Sequence, residues 1–336
     1  TTSACSATGC SCSTGATFAN KLNIMKIFAA PLQGYTEAPF RHFHAGVYGT
    51  CGGASDAYYT PFLRVEHGEP RSRDLRDALS PLNDNHTVVP QIIARDAAEF
   101  SMLTDLLVSG GHTTIDLNMG CPFPPQVRKG RGAGLIPRRE QLLNIADLMH
   151  GKAERGTKFT IKMRLGIDRP DEWIENIDVI NSMPLTHVTV HPRVARQQYG
   201  GTLHLDEFAA LLDRLKHPVV FNGELHTPAD IEAVSLRFPT LVAVMAGRGL
   251  LARPSLIAEW REGREWDRDK RIRHLLALHD GVRQHYETTL CGETQILSKL
   301  KPFWDYLEEE IGHKTTKAIR KATTLPRYNQ AITSIY

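Results

Sequence analysis

The stretch "TTIDLNMGCPFPPQVRKGRGAG", Thr113 to Gly134, holds the repeating unit of this chain. It begins as an apolar, β-branched run carrying Asp116 and Asn118, and so predicts a strand. A loop follows, where a single thiol, Cys121, sits among glycines, prolines and the basic residues Arg128, Lys129 and Arg131. Beyond the loop, Leu142, Ile145, Ala146 and Met149 recur three and four apart, the spacing of one helix face.

The same alternation of strand and helix recurs on both sides. Apolar runs begin at Lys26 ("KIFAAPLQG"), Ala54 ("ASDAYYT", the weakest), Thr87 ("TVVPQIIA"), Lys158 ("KFTIKMRLG"), His187 ("HVTVHPR"), Pro218 ("PVVFNGE") and Leu241 ("LVAVMAGRG"). "DAAE" from Asp96 and "TPAD" from Thr227 read as capping boxes, the second with Pro228 at the first helical position. Eight such units predict an α/β protein with a TIM (β/α)8 barrel over residues 25–254. After Pro254 the strand signals stop, and residues 255–336 read as a small all-helical C-terminal domain whose end, "KTTKAIRKATTLPR", is basic and free of acids.

At 336 residues and 41% apolar content the chain can bury a large core, and no apolar run is long enough to span a bilayer. A net charge of +3 permits a nucleic-acid partner without requiring one. Cys51, Cys121 and Cys291 are scattered singly, as in a reducing, cytoplasmic setting. Cys5, Cys10 and Cys12 lie in a Ser/Thr/Ala/Gly-rich segment and make a weak zinc signal; no metal is expected. Met25 is expected to be the natural start, with residues 1–24 a disordered or non-native tail.

A TIM barrel carries its chemistry at the C-terminal ends of its strands, and nearly every strand here places polar residues there. Pro31 to Gly34 follow the first strand, Gln91 is in the third, and Asp116 and Asn118 lead to Cys121 after the fourth. Lys162 and Arg164 share a face of the fifth, and His191 and Arg193 a face of the sixth. Asn222, Gly223 and Glu224 end the seventh, Gly247 and Arg248 the eighth. Taken singly, each has a structural explanation: Lys162 paired with Asp116 to hold the barrel, or His191 satisfied within the core. Convergence at one rim favours a site. The glycines of "FNGE" and "AGRG" mark the last two units, where such barrels commonly bind phosphate.

These motifs resemble one family, the tRNA-dihydrouridine synthases. "APLQGYTEAPFR", "DLNMGCP" followed by "VRKGRGAGL", "IKMRLG", "VTVHPR" with "QQYGG", "VVFNGE" and "VAVMAGRG" occur in family order from about Met25 to Pro254. "LSKLKPFWDYL" is similar, more weakly, to the helical RNA-binding domain of the bacterial C-type subgroup. The resemblance implies FMN bound at the barrel mouth, NADPH as reductant, and tRNA as substrate. It implies that Cys121 gives a proton to C5 of a uracil while hydride reaches C6. It implies that Pro31, Leu32 and Gln33 line the flavin, that Gln91 and Lys162 meet its ring, and that His191 lies nearby. Asn222, Gly223, Glu224, Gly247 and Arg248 would hold the phosphate end, and Asn118 would contact the uracil. Arg128, Lys129, Arg193, Lys299 and Lys301 are the expected RNA contacts. The basic loop is also expected to lower the thiol pKa of Cys121. Departures from the family pattern fall on the substrate side: Pro124 and Pro125 where lysine or serine is frequent, and "VHPR" for "VHGR".

Three rival readings stand beside this one: an FMN-dependent reductase of a small molecule, similar to dihydroorotate dehydrogenase; a Schiff-base lyase using Lys162; and a tRNA-binding protein without catalysis. The first leaves the basic helical end unexplained, and the second would be colourless where a flavoprotein is yellow.

Overall fold

Period-two alternation along the apolar runs sorts their side chains onto two sides of one closed sheet. The computed structural model describes residues 25–335; the segment 1–24, with its three cysteines, lies outside the described residues. The strands are β1 (Lys26–Ala29), β2 (Ala57–Tyr59), β3 (Val88–Val89 and Gln91–Ile92), β4 (Thr114–Met119), β5 (Lys158–Gly166), β6 (Leu185–Val194), β7 (Val219–Phe221) and β8 (Ala243–Ala246). All pair in parallel, each with its chain neighbours, and β1 pairs with β8 to close the barrel. The third strand is interrupted at Pro90, which has no N–H to give to the ladder. A short antiparallel pair, Val65–Glu66 with Glu69–Pro70, follows β2 and has no counterpart in the sequence reading.

Ile115, Leu117 and Met119 of β4, Phe159, Ile161 and Met163 of β5, and Val188 and Val190 of β6 face outward and are fully buried under the helices. Their alternates face inward, and the barrel interior divides in two. Phe28, Ala30, Tyr59, Val220, Ala243 and Met245 fill one part with apolar side chains. The inward positions of β3 to β6 instead carry Gln91, Asp116, Asn118, Thr160, Lys162, Arg164, Thr189 and His191. A polar wall inside an otherwise apolar barrel is what raises the site.

Helices α1 (Ala38–Gly49), α2 (Ser72–Ala78), α3 (Ala97–Ser109), α4 (Pro124–Arg128) and α5 (Arg139–Ala153) accompany the first half of the barrel. The second half carries α6 (Ile177–Ser182), α7 (Leu205–Arg214), α8 (Pro228–Arg237), α9 (Arg248–Ala252) and α10 (Leu256–Glu262). Of the two expected capping boxes, the second forms in full, while at the first Asp96 caps the helix and Glu99 turns to the Arg95 N–H instead of that of Asp96. Asp96 accepts the Glu99 N–H at 2.9 Å, and Thr227 and Asp230 cap each other's backbone N–H at 3.2 and 2.8 Å. Leu142, Ile145, Ala146 and Met149 are the buried face of α5.

The remaining helices are α11 (Arg268–Thr289), α12 (Glu293–Leu300), α13 (Glu308–Ile311), α14 (His313–Lys321) and α15 (Leu325–Thr333). Leu256, Ile257 and Trp260 of α10 still pack in the barrel core, whereas Trp266 and later apolar residues join a second core with Phe40 and Tyr48. In that second core the Tyr328 hydroxyl sits 2.8 Å from His279 Nε2 and accepts the Trp304 indole N–H at 2.7 Å. α11 packs against α1, and Leu32, at the end of the first barrel unit, packs against this second core.

The start of α9, just after β8, requires close backbone contact. A Cβ at Gly249 would stand 1.7 Å from the Leu225 carbonyl oxygen, an atom that cannot move without shifting the loop after β7. Gly249→Ala is therefore expected to destabilise the protein by at least about 2 kcal/mol in urea unfolding.

Candidate active site

The loop after β4 is held by a side chain from the strand itself. Asn118 Oδ1 accepts the backbone N–H groups of Gly120 at 3.0 Å and Cys121 at 2.8 Å. Its amide nitrogen donates to Gln91 Oε1 at 2.7 Å, and Gln91 Nε2 donates in turn to Asp116 Oδ2 at 2.7 Å. Thr160 completes the series by donating to Asp116 Oδ1 at 2.6 Å. Asp116 is fully buried, and burial raises its pKa to about 6 against the hydrogen bonds from Thr160 and Gln91 and the charge of Lys162. At neutral pH it is ionised and can only accept, so each amide beyond it has one allowed orientation. Asp116 is thus engaged with Gln91 and Thr160, and no ion pair joins it to Lys162.

Two further contacts fix Cys121. Arg164 donates to the Gly120 carbonyl at 3.0 Å and to the Val194 carbonyl at 2.9 Å, tying the loop to β5 and β6. Gly132 (φ +59°) lies against the thiol residue; a Cβ there would fall 2.7 Å from Cys121 Cβ. Pro124 and Pro125 occupy the first turn of α4, where the missing N–H has no partner to lose. They start a helix.

The barrel mouth opens into a cavity of about 460 Å³, a size suited to a cofactor. Pro31, Leu32, Gln33, Gln91, Lys162, His191, Asn222, Gly223, Glu224, Gly247 and Arg248 all line it, together with Asn118 and Cys121. Arg164, already placed at the rim by its strand, lines it too, and Arg64, Phe123, Gln198 and Tyr199 also line it and stand outside the expected set. Tyr199 lies in the quoted "QQYGG" segment, while Arg64 follows the weakest strand, where little in the pattern marks it.

Cationic groups dominate this cavity. Burial, with the nearby Arg164, lowers the Lys162 pKa to about 8 despite the opposing pull of Asp116 and Cys121. Burial likewise brings Arg164 down to about 10. His191 is held well below its usual range by burial and by the surrounding Arg164, Lys162, Arg193 and Arg248, so it is neutral. Its Nε2 lies 3.1 Å from Arg193 Nη1, which can only donate, so the imidazole proton is on Nδ1. Glu224, at the unusual φ of 24°, receives Arg193 and Arg248 on Oε1, both at 2.6 Å, and faces His226 at 3.0 Å on Oε2. Burial works against its ionisation, but His226, Arg193 and Arg248 keep the carboxyl below its ordinary pKa.

Several expectations are corrected here. Burial pushes the Cys121 thiol up, outweighing a backbone hydrogen bond at Phe123 and the charges of Arg164, Lys162 and Arg64. The loop's own cations are not the ones that face it: Arg131 is buried against Glu99, with Nε donating to Oε2 at 2.8 Å. Arg193 is no surface contact either. It is 3% exposed and spends its donors on Gly200, Gly201, His191 and Glu224. Asn118 lines the cavity, as expected of a uracil contact, and also anchors the loop through Oδ1 while its amide nitrogen binds Gln91. Lys299 pairs with Glu37 at 2.5 Å, between the barrel and the helical part, and Lys301 is half-buried. Arg128 and Lys129 are exposed at the end of α4.

The sequence model of the family described as "Dihydrouridine synthase (Dus)" matches residues 28–327. A tRNA-dihydrouridine(16) synthase of Pseudomonas putida is 30% identical over 262 residues, covering 72% of this chain and 76% of that protein. A tRNA-dihydrouridine(16) synthase of Neisseria meningitidis serogroup B is 25% identical over 297 residues, covering 85% of this chain and 86% of that one. Among solved structures, morphinone reductase aligns with a TM-score of 0.51 at 10% identity over 72% of this chain and 87% of its own, a likeness of fold alone.

Because burial raises the Cys121 pKa, its thiolate forms only at higher pH than that of an ordinary cysteine. Alkylation of Cys121 by iodoacetamide, followed on its own peptide by mass spectrometry, should be slow at pH 7 and climb with pH. The midpoint should lie above the usual value of about 8.5.

Proposed function

The chain belongs to the dihydrouridine synthase family, and on that premise we infer that it reduces the C5–C6 double bond of a uridine in tRNA, with FMN as cofactor and NADPH as reductant. Both relatives described above are dihydrouridine(16) synthases, and we place the target at position 16 of the D-loop. Among the described residues no helix is long and apolar enough to cross a membrane, and we place the protein in the cytoplasm with its RNA substrate.

The donor set of the cavity fits FMN. Lys162, Arg164 and Arg248 bring positive charge into a partly desolvated space, and Glu224, the carboxylate among the cavity's lining residues, is already shared between Arg193 and Arg248. An anionic ligand offsets the burial, and the lesser like-charge repulsion, that lower the pKa values of Lys162 and Arg164. Pro31, Leu32 and Gln33 would line the ring, Gln91 and Lys162 would meet its polar edge, and His191 would offer Nδ1–H. Asn222, Gly223, Gly247 and Arg248 would hold the phosphate end, with Glu224 acting through the arginines it orients. When bound there, FMN supplies the two-electron chemistry that side chains lack, accepting hydride from NADPH and delivering it to C6 of the uracil.

Cys121 supplies the proton. Its S–H bond breaks as the C5–H bond forms, and water reprotonates the thiolate after product departs. Burial keeps the thiol protonated until it is needed, while Arg164 and Lys162 stabilise the thiolate left behind. One observation carries this reading: Cys121 on the loop after β4, Lys162 in β5 and His191 in β6 line a single cavity.

The helical part from α11 onward is read as the RNA-binding region. Lys299 is engaged elsewhere, and α14 offers the better surface: Lys314, Lys317 and Lys321, spaced three and four apart, are all exposed or half-exposed.

Cys121→Ala should retain FMN but lose nearly all dihydrouridine formation; full activity would remove the assigned role. Mapping dihydrouridine in tRNA from a deletion strain, with and without this protein restored, should show loss and return at position 16. Charge reversal of Lys314, Lys317 and Lys321 together should weaken tRNA binding at least about tenfold at low salt and flatten its salt dependence.

A further inference from the structure

Phe123 is the most exposed large apolar side chain in the described structure, at 57%, and it lies two residues from Cys121 on the rim of the cavity. It does not sit on a loose loop. Before it, Asn118 anchors the N–H groups of Gly120 and Cys121; after it, Pro124 and Pro125 begin α4. The Phe123 carbonyl accepts the N–H groups of Gln126 at 2.8 Å and Val127 at 3.1 Å, which closes the first helical turn onto it. A ring held out in water by a rigid frame gains nothing for the fold, since burial is what stabilises an aromatic side chain.

What such a ring suits is a flat, partly apolar partner brought by an electrostatically attracted chain. Arg128 and Lys129 stand at the other end of α4, within one short helix of Phe123, and neither has an ion-pair partner among the described residues. A uridine that enters the cavity must leave its stack, so the base beside it loses a stacking face at the cavity mouth. Aromatic side chains restore such a face whatever the identity of the base.

We propose that Phe123 is the stacking platform for the nucleobase adjacent to the target uridine, held in place by the Pro124–Pro125 turn while Arg128 and Lys129 take the flanking phosphates. This rests on the reading of tRNA as substrate. It also accounts for the two prolines, which fix the direction of a substrate-facing ring.

A cycle between protein and RNA tests it. Single-turnover formation of dihydrouridine is followed with the FMN-loaded enzyme on intact tRNA, and on tRNA carrying one abasic residue 5′ or 3′ of the target. Phe123→Ala should lower kcat/KM on intact tRNA about tenfold, the size of one base–aromatic stack, and Phe123→Trp should restore it. One of the two abasic substrates should cost the wild type a similar factor and cost Phe123→Ala nothing further. Losses that multiply on both abasic substrates, or an unaffected Phe123→Ala, would overturn the inference while the assigned reaction stands. A wild type inactive on intact tRNA would instead remove the reaction and the inference together.

Discussion

A buried carboxylate that can only accept hydrogen bonds orders this site. Asp116 takes one from Thr160 and one from Gln91; Gln91 must then turn its oxygen to Asn118, and Asn118 its oxygen to the amides of Gly120 and Cys121. Primary amides are nearly symmetric in shape, so nothing in packing alone would choose between their two orientations. The charge of Asp116 makes the choice at one end of the series, and the backbone N–H groups of Gly120 and Cys121, which can only donate, make the same choice at the other.

The same barrel interior concentrates positive charge where the cavity opens. Lys162 and Arg164 have lowered pKa values because both are buried, with the charge of Arg164 adding to the shift of Lys162 and those of Arg193 and Arg248 to the shift of Arg164, a cost the fold accepts at the mouth and nowhere in the apolar part of the barrel. Glu224 moderates that charge. By holding Arg193 and Arg248 it orients them and leaves Lys162 as a cation without an ion pair in the cavity. Arg193 in turn sets the proton of His191 on Nδ1. Two networks, one anchored on Asp116 and one on Glu224, therefore meet across the space assigned to the flavin.

Basic residues are the hardest to place from the sequence. Arg131, Arg193 and Lys299 look alike on a charge profile, yet all three are committed to carboxylates: Glu99, Glu224 and Glu37. Their partners are 32, 31 and 262 residues away in the chain. Local charge patterning carries no information about such distant pairing, whereas Arg128 and Lys129, without partners among the described residues, lie at the surface as the profile suggests. The pKa of Cys121 departs from its expected direction for the same reason: neighbours in sequence are visible beforehand, and burial by residues from other strands is not.

Periodicity and the strand-end motifs are enough to identify eight strands, their order and the rim where polar residues gather. Those features follow from local rules: side chains alternate along a strand, helices begin at caps, and barrel chemistry lies at strand ends. The tertiary structure decided which polar residues face one another, which cations are spent in ion pairs, and which aromatic ring is left in water at the mouth. These depend on distances between strands far apart in the chain and on the desolvation each position undergoes, and neither quantity exists until the barrel has closed.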